Sequence, residues 1–312
     1  MIDLKLIQHA VALAQHRNLT RTAELLGISQ PTLSRNIASL EDSLAVRLFD
    51  RRPDGVMPTG FGKLLVEQGL GLLQNAADLE REIMLLKGLE TGELVVGAGP
   101  YVLDMSVGTA LARLLRKHPG LRVEVMGLDW RTVLAQVLAG KVDIGVVELV
   151  PVKGEPEVET EKLPAHPGVF YCRAGHPLLA KTAPNFAEVF AYPYVGTRLP
   201  PRIAQAFIGL LPNAYIDPKT GEFVPPISLA SVRAARDVVL HCDAVSVAGR
   251  RQIAYELAEG LLGVVDFHPP WLVSAYGFVY RRNRSLSPAT LAFMAEMRAV
   301  EAEIAAEEAS VL

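Results

Sequence analysis

Cysteine is nearly absent: Cys172 and Cys242 stand alone among 312 residues. They cannot supply a disulfide framework, and thiols this sparse behave by default as small hydrophobic or idle groups. Long uncharged apolar runs are missing, which excludes a helix spanning a bilayer. The opening Met1-Ile2-Asp3-Leu4-Lys5 lacks a secretion signal, so the expected location is cytoplasmic. A large excess of one charge is missing too. The formal net charge is −3, which argues against a protein that coats nucleic acid indiscriminately.

Signatures of catalysis are also absent. There is no Walker loop, no nucleophile elbow and no cluster with metal-ligand spacing. Gly97-Ala98-Gly99-Pro100-Tyr101 does not complete a dinucleotide fingerprint. His241, Cys242 and Asp243 are reactive types, but neighbours on one helix point in different directions. His118, His166, His176 and His268 each precede proline, a context that suits turns and loops. No enzyme, metal or cofactor is expected. The length implies two or three domains, and 50% hydrophobic residues provide ample material for their cores.

What is present concentrates in residues 18–49. Asn18 is placed to cap a short helix with Leu19, Ala23 and Leu26 inward. Gly27 ends it, and Ile28 plugs the corner. Ser29 caps a second helix, in which Pro31 is tolerated because first-turn amides lack intrahelical partners. Leu33, Ile37, Leu40 and Leu44 form one stripe of that helix. Thr32, Arg35, Asn36 and Ser39 form another, short and rich in donors, as a helix lying in a major groove requires. Arg35 is suited to guanine and Asn36 to adenine, while Ser29 and Gln30 are placed for phosphate.

The flanks extend the pattern. Leu6, Ile7, Ala10, Val11, Leu13 and Ala14 cover one side of an earlier helix. Val46–Arg52, Pro53-Asp54-Gly55 and Val56–Thr59 read as strand, turn and strand, a small wing. Arg51 and Arg52 sit beside its tip, within reach of backbone phosphate or a minor groove. Over residues 1–63 the basic bias is slight, eight Lys and Arg against six Asp and Glu. Affinity for DNA must therefore come from charge placement and dimerisation. Residues 59–88 carry one long helical pattern with Leu65, Leu72, Ala76, Leu79, Ile83 and Leu86 on a seam suited to helix pairing. Gly69 takes a seam position without a side chain, and Gly88 and Gly92 mark a hinge.

From residue 93 strands alternate with helices, a pattern that predicts parallel sheets with helical crossovers. The expected strands are 94–97, 121–126, 142–147, 169–172, 194–196, 227–229, 244–247, 262–265 and 277–281, with helices at 103–117 and 130–139 among others. Ser287-Pro288 opens the last helix. Ligands of such folds sit beyond the carboxyl ends of strands, near free helix N-terminal amides. The candidate effector contacts are Gly99, Pro100, Tyr101, Trp130, Arg198, Leu199 and Ser246. Arg198 is the natural anion partner, and Tyr101 or Trp130 offers a flat face.

Residues 1–63 resemble the N-terminal domain of the LysR-type transcriptional regulators. The likeness is carried by Thr20–Leu26, Ser29–Ser34, Ile37–Glu41, Leu44, Leu48–Arg51 and Pro58-Thr59-Gly60-Phe61-Gly62. Ala45 stands where that family usually has glycine, and Asn36 where glutamine is common. The resemblance implies a winged helix-turn-helix domain at 1–58, a dimerisation helix at 59–90, and at 91–312 an α/β effector domain like a type II periplasmic binding protein. Its first lobe would comprise 91–162 and 268–312, its second 163–267. The implied partners are double-stranded promoter DNA, a small effector such as an organic anion, further copies of the chain in a dimer or tetramer, and RNA polymerase. Lobe closure would alter DNA bending or polymerase contact. The α/β lobes alone also fit a solute-binding transport protein, but the DNA-binding head and the missing secretion signal argue against it.

Overall fold

The computed structural model describes residues 3–309, apart from 53, 54, 88–91, 208, 210, 212 and 283. The wing turn Pro53-Asp54, the hinge residue Gly88 and the side chains of Arg51, Arg52 and Leu86 thus lie outside the described residues. The chain divides into two units, Met1–Leu86 and Lys87–Leu312.

The first unit contains α1 (Leu4–His16), α2 (Leu19–Leu25) and α3 (Gln30–Leu44), the antiparallel pair β1 (Phe49–Arg52) and β2 (Gly55–Pro58), and α4 (Gly60–Lys87). Asn18 caps α2 by accepting from the Arg21 amide. Ser29 caps α3 by accepting from Thr32. Leu33, Ile37 and Leu40 enter a core with Ala10, Leu13, Ala23, Leu48, Phe49 and Val56. Each fully buried leucine contributes roughly 1.5–3 kcal/mol. Gly69 has a packing reason: a Cβ there would lie 2.6 Å from the Ile7 side chain, so its absence lets α1 approach α4.

The recognition helix ends on a strained residue. Ala45 takes the left-handed conformation, φ 54° and ψ 30°, while its amide and that of Val46 reach back to Asp42 and Glu41. A Cβ in that region costs about 1–2 kcal/mol. Ala45→Gly should therefore raise stability by about 0.5–1 kcal/mol after the larger unfolded-state entropy of glycine is counted. Urea melts compare the two directly, and an unchanged or lower midpoint would refute the strain.

The second unit begins with β3 (Gly92–Ala98), α5 (Pro100–Val102), a π turn at Leu103–Val107, α6 (Gly108–Lys117), β4 (Leu121–Gly127), α7 (Trp130–Leu138), β5 (Ile144–Glu148) and β6 (Val158–Lys162). There follow β7 (Gly168–Arg173), α8 (Phe186–Val189), β8 (Val195–Gly196), α9 (Pro201–Phe207), β9 (Tyr215–Ile216), β10 (Phe223–Val224) and β11 (Ile227–Ser228). It ends with α10 (Val232–His241), β12 (Ser246–Gly249), α11 (Ala254–Ala258), β13 (Leu262–Val264), β14 (Tyr276–Arg281) and α12 (Pro288–Ala309). One sheet has the order β4-β3-β5-β14-β6, another β12-β7-β13. Two connections join them, and Pro167 in the first bridges Val273 in the second.

The expected parallel sheets need correction. β3 pairs parallel with β4 and β5, but β14 runs antiparallel between β5 and β6. β7 is antiparallel to both β12 and β13. The physical cause is the pair of connections: a strand entering a sheet from its neighbour runs against the strands made by local βαβ crossovers. β6 escaped sequence reading because Val158-Glu159-Thr160-Glu161-Lys162 buries only its valine, the charged character of an edge strand. The helix expected at 103–117 is broken by the π turn.

Candidate functional site

The exposed side of α3 begins at its cap. Ser29 and Thr32 hydroxyls lie 2.8 Å apart. Arg35 is exposed, and its Nε reaches back to the Pro31 carbonyl at 3.4 Å, leaving the rest of the guanidinium fork outward. Gln30 and Ser39 are exposed as well. Asn36 differs from its expected role. Its amide nitrogen lies 3.0 Å from His9 Nδ1 on α1. Burial lowers the proton affinity of His9, with Lys5 adding to the effect, so the ring is neutral at pH 7 and Nδ1 accepts from Asn36. One side of that amide is therefore committed to the protein interior. His9 was missed because a histidine within an apolar stripe reads as a polar interruption.

The wing is anchored by a residue that sequence reading treated only as part of a motif. Glu41 Oε1 accepts from the amides of Leu48 (2.7 Å) and Phe49 (3.1 Å). Thr59 then donates its hydroxyl proton to the Arg47 carbonyl at 2.8 Å and accepts from the Gly62 amide at 3.1 Å. α4 leaves the wing from this junction. Along it Phe61, Leu64, Leu72, Leu79 and Ile83 are about half exposed, whereas Leu65 packs into the core and Ala76 is half-buried.

The effector candidates fall in four places. Gly99 caps α5 without a side chain, as its type requires, and donates its amide to Val146 at 3.0 Å. Behind Pro100, Tyr101 turns inward. Its carbonyl accepts from Gln252 Nε2 at 3.1 Å, and a Cβ on Gly249 would lie 2.7 Å from its hydroxyl. Trp130 opens α7 behind the Asp129 cap and carries the Arg131 guanidinium 4.6 Å from its ring centroid. Arg198 is already engaged: Asp217 lies at 3.0 Å and Glu222 at 3.6 Å. Burial raises the proton affinity of Glu222 against the pull of Arg198, and the charge of Asp129 adds to the rise. The Trp130 turn and the Arg198 loop therefore share one field. Leu199 serves backbone pairing, exchanging hydrogen bonds with Phe223.

Ser246 is not where the sequence placed it. It opens β12 rather than ending a strand, is fully buried, and sits across from Tyr171 on β7. The strand runs two residues later than expected, 246–249 rather than 244–247, so Gly249 and Gln252 occupy the end toward Tyr101. Sequence reading also missed Arg202, which pairs with Glu148 at the end of β5.

A capped reading helix on a three-helix core, followed by a two-stranded wing, defines a winged helix-turn-helix DNA-binding protein, here joined to an α/β unit built on two main sheets. Residues 4–63 match the family described as bacterial regulatory helix-turn-helix protein, lysR family, and residues 87–302 match the LysR substrate binding domain. The chain belongs to the LysR family of transcriptional regulators. It is 36% identical, over 93% of each chain, to the SDS degradation transcriptional activation protein of a Pseudomonas species. It is 29% identical to the regulator GbpR of Azospirillum brasilense over 96% of this chain and 86% of that one. A solved full-length OxyR variant from Pseudomonas aeruginosa superposes with a TM-score of 0.68 at 21% identity, covering 96% of this chain and 95% of the other, a likeness of fold. Nothing in these likenesses supports a transport role. Among the described residues no helix is long and apolar enough to cross a membrane.

Proposed function

We propose that this regulator binds operator DNA sequence-specifically and that a small molecule held between two α/β lobes controls it. The partition is winged helix-turn-helix 1–58, linker 59–90, first lobe 91–162 with 268–312, and second lobe 163–267. The observation that carries DNA reading is the division of α3 into a buried stripe, Leu33, Ile37 and Leu40, and an outer one bearing the half-buried Thr32 and the exposed Arg35 and Ser39. Ser29, Gln30, Arg51 and Arg52 hold phosphates, and Asn36 contributes its amide oxygen and the one N–H that His9 does not take. The half-exposed apolar residues of α4 support pairing through Leu72, Ala76, Leu79, Ile83 and Leu86, with Leu65 at the base. The working compartment is the cytoplasm, and RNA polymerase is the downstream partner.

Effector contacts come from Gly99, Pro100, Tyr101, Trp130 and Leu199, with Gln252 and Gly249 facing Tyr101. Because Arg198 is occupied by two carboxylates, an anionic effector has to use helix N-terminal amides or displace an acid. The relative named for SDS degradation makes alkyl sulfates, well below micelle-forming concentrations, the first class to test. A ligand that binds only the folded state raises the melting temperature by mass action.

Arg35→Ala is the direct test of DNA reading. Selection of binding sites from random DNA should show relaxed preference at one base position and a loss of about 1–3 kcal/mol on the preferred site. An unchanged consensus with weaker binding everywhere would instead make Arg35 a phosphate contact.

A further inference from the structure

A largely buried ionisable cluster lies where the two inter-sheet connections meet α12. His166, in the first connection, has Nε2 2.6 Å from Glu301 Oε2 and Nδ1 2.7 Å from Glu308 Oε2. His166 and Glu301 side chains are inaccessible to solvent, and Glu308 is only 10% exposed. Tyr276, which opens β14 after the second connection, donates its hydroxyl proton to the same Glu301 oxygen at 2.7 Å. The connections are also tied directly. The His166 amide donates to Ser274 Oγ, and the Ser274 amide donates to the His166 carbonyl, both at 2.8 Å.

Proton counting fixes how many protons this cluster holds, and the raised proton affinity of His166 places one of them on the ring. Each ring nitrogen faces a carboxylate oxygen at hydrogen-bonding distance, and each such contact needs one proton. Two contacts place two protons on three groups. With both carboxylates ionised, the histidine is an imidazolium and the trio carries one negative charge. Removing a proton would set two lone pairs against each other at under 3 Å and expel one carboxylate. Glu308 is the one placed to leave, because it lies in the last turn of α12 beside solvent.

We propose that His166, held as an imidazolium between Glu301 and Glu308, is a positioning residue that clamps both connections to α12 and sets the resting angle between the two lobes. The proposal rests on the two-lobed sensing reading. Any hinge motion has to twist 163–167 and 273–276 against each other. α12 packs on α6, part of the first lobe, through shared core residues such as Leu114 and Phe293, so fixing the connections to α12 fixes them to that lobe. The groups facing the ring are Glu301 and Glu308 from α12, Tyr276 from β14 and Ser274 from the second connection; Tyr101 from α5 packs 5.7 Å from Tyr276. Burial opposes charge on His166, but its bonds to Glu301 and Glu308 and their charges prevail, and its proton affinity rises above the ordinary value. Burial raises both tyrosines, helped by Glu308 and Glu301 at Tyr101 and by Glu301 at Tyr276, so they remain phenols.

A histidine whose folded proton affinity is raised contributes stability that is complete below the ordinary value of about 6.5 and lost as pH rises through the folded one. The test uses the full-length protein and Glu308→Gln, which keeps shape and one hydrogen bond, with His166→Gln as the harsher variant. Melting is followed from pH 6 to 10. In parallel, nitroxides are placed on the naturally exposed Cys242 and on Lys153→Cys, diluted with unlabelled chain, and their separation is measured by pulsed electron resonance. Wild type should lose stability on the alkaline side, and Glu308→Gln should lose it at lower pH. The label separation should be single and narrow for wild type at pH 7 and should broaden or shift in Glu308→Gln. Amides of 163–167 and 273–276 should exchange about tenfold faster in the variant. Identical pH profiles would overturn the proton clamp, and a shifted profile with unchanged separation would overturn its control of lobe angle. If separation responds to Glu308→Gln but not to any effector that raises the melting temperature, the clamp stands and the sensing reading fails.

Discussion

Gly62→Ala should destabilise the helix-turn-helix unit by about 3 kcal/mol or more, enough to abolish DNA binding in a domain of ordinary marginal stability. A Cβ at this position would lie 2.1 Å from the Leu48 carbonyl oxygen and 3.1 Å from its carbon. Both are backbone atoms, and neither can swing aside as a side chain can. Leu48 is held from three directions: its amide on Glu41, its carbonyl on the Thr59 amide at 2.9 Å, and its side chain in the core. Relief would pull α4 away from the wing and leave those polar groups unpaired. Gly60, two residues earlier, has nothing within 4 Å of its virtual Cβ. Gly60→Ala is the matched control, expected within about 0.5 kcal/mol of wild type. Urea unfolding of both variants, with binding to the selected operator, separates the cases. Equal midpoints for Gly62→Ala and wild type would show that the junction gives way.

Arg202→Ala should cost about 2–3 kcal/mol, with a characteristic pH dependence. Arg202 Nε lies 3.0 Å from Glu148 Oε1, Nη2 lies 3.4 Å from Oε2, and the guanidinium also donates to the Trp271 and Val273 carbonyls. Both side chains are largely buried, 20% and 15% exposed. Removing the cation leaves a desolvated carboxylate and strips a donor from the Val273 carbonyl, while the Trp271 carbonyl keeps the Val273 amide at 3.0 Å; this is the costly half of a buried pair. Burial already raises the proton affinity of Glu148 above the ordinary carboxylate value, despite Arg202. A carboxyl so raised loses stability as pH rises through its folded range. The deficit of Arg202→Ala should therefore be largest near neutrality and shrink on acidification, as Glu148 takes up a proton. Glu148→Gln in the same background should recover about half of the neutral-pH loss. A deficit independent of pH would mean that packing, not the uncompensated charge, carries the effect.

The parts of this molecule that sequence reading found are those made by short-range chemistry. The caps Asn18 and Ser29 and the stripe Leu33, Ile37 and Leu40 depend on residues within about two helical turns, where spacing alone fixes the partners. The parts it missed are long-range. Asn36 meets His9 27 positions away, and Glu41 closes on Leu48 only because the chain turns through a left-handed Ala45. Arg198 looked like a free cation until Asp217 and Glu222 were brought to it, and Ser246 was misplaced because its strand begins and ends two residues later than its apolar pattern suggests.

The His166-Pro167 dipeptide shows the same limit from the other side. Proline marked a bend, correctly, but a bend says nothing about what will close over it. Glu301 and Glu308 come from a helix that begins more than a hundred residues later. Local sequence determined where helices start and stop, which faces are apolar, and that the chain carries a DNA-reading head and an α/β body. Tertiary structure alone decided which charges are spent on one another, because desolvation and pairing depend on distances that no linear spacing encodes.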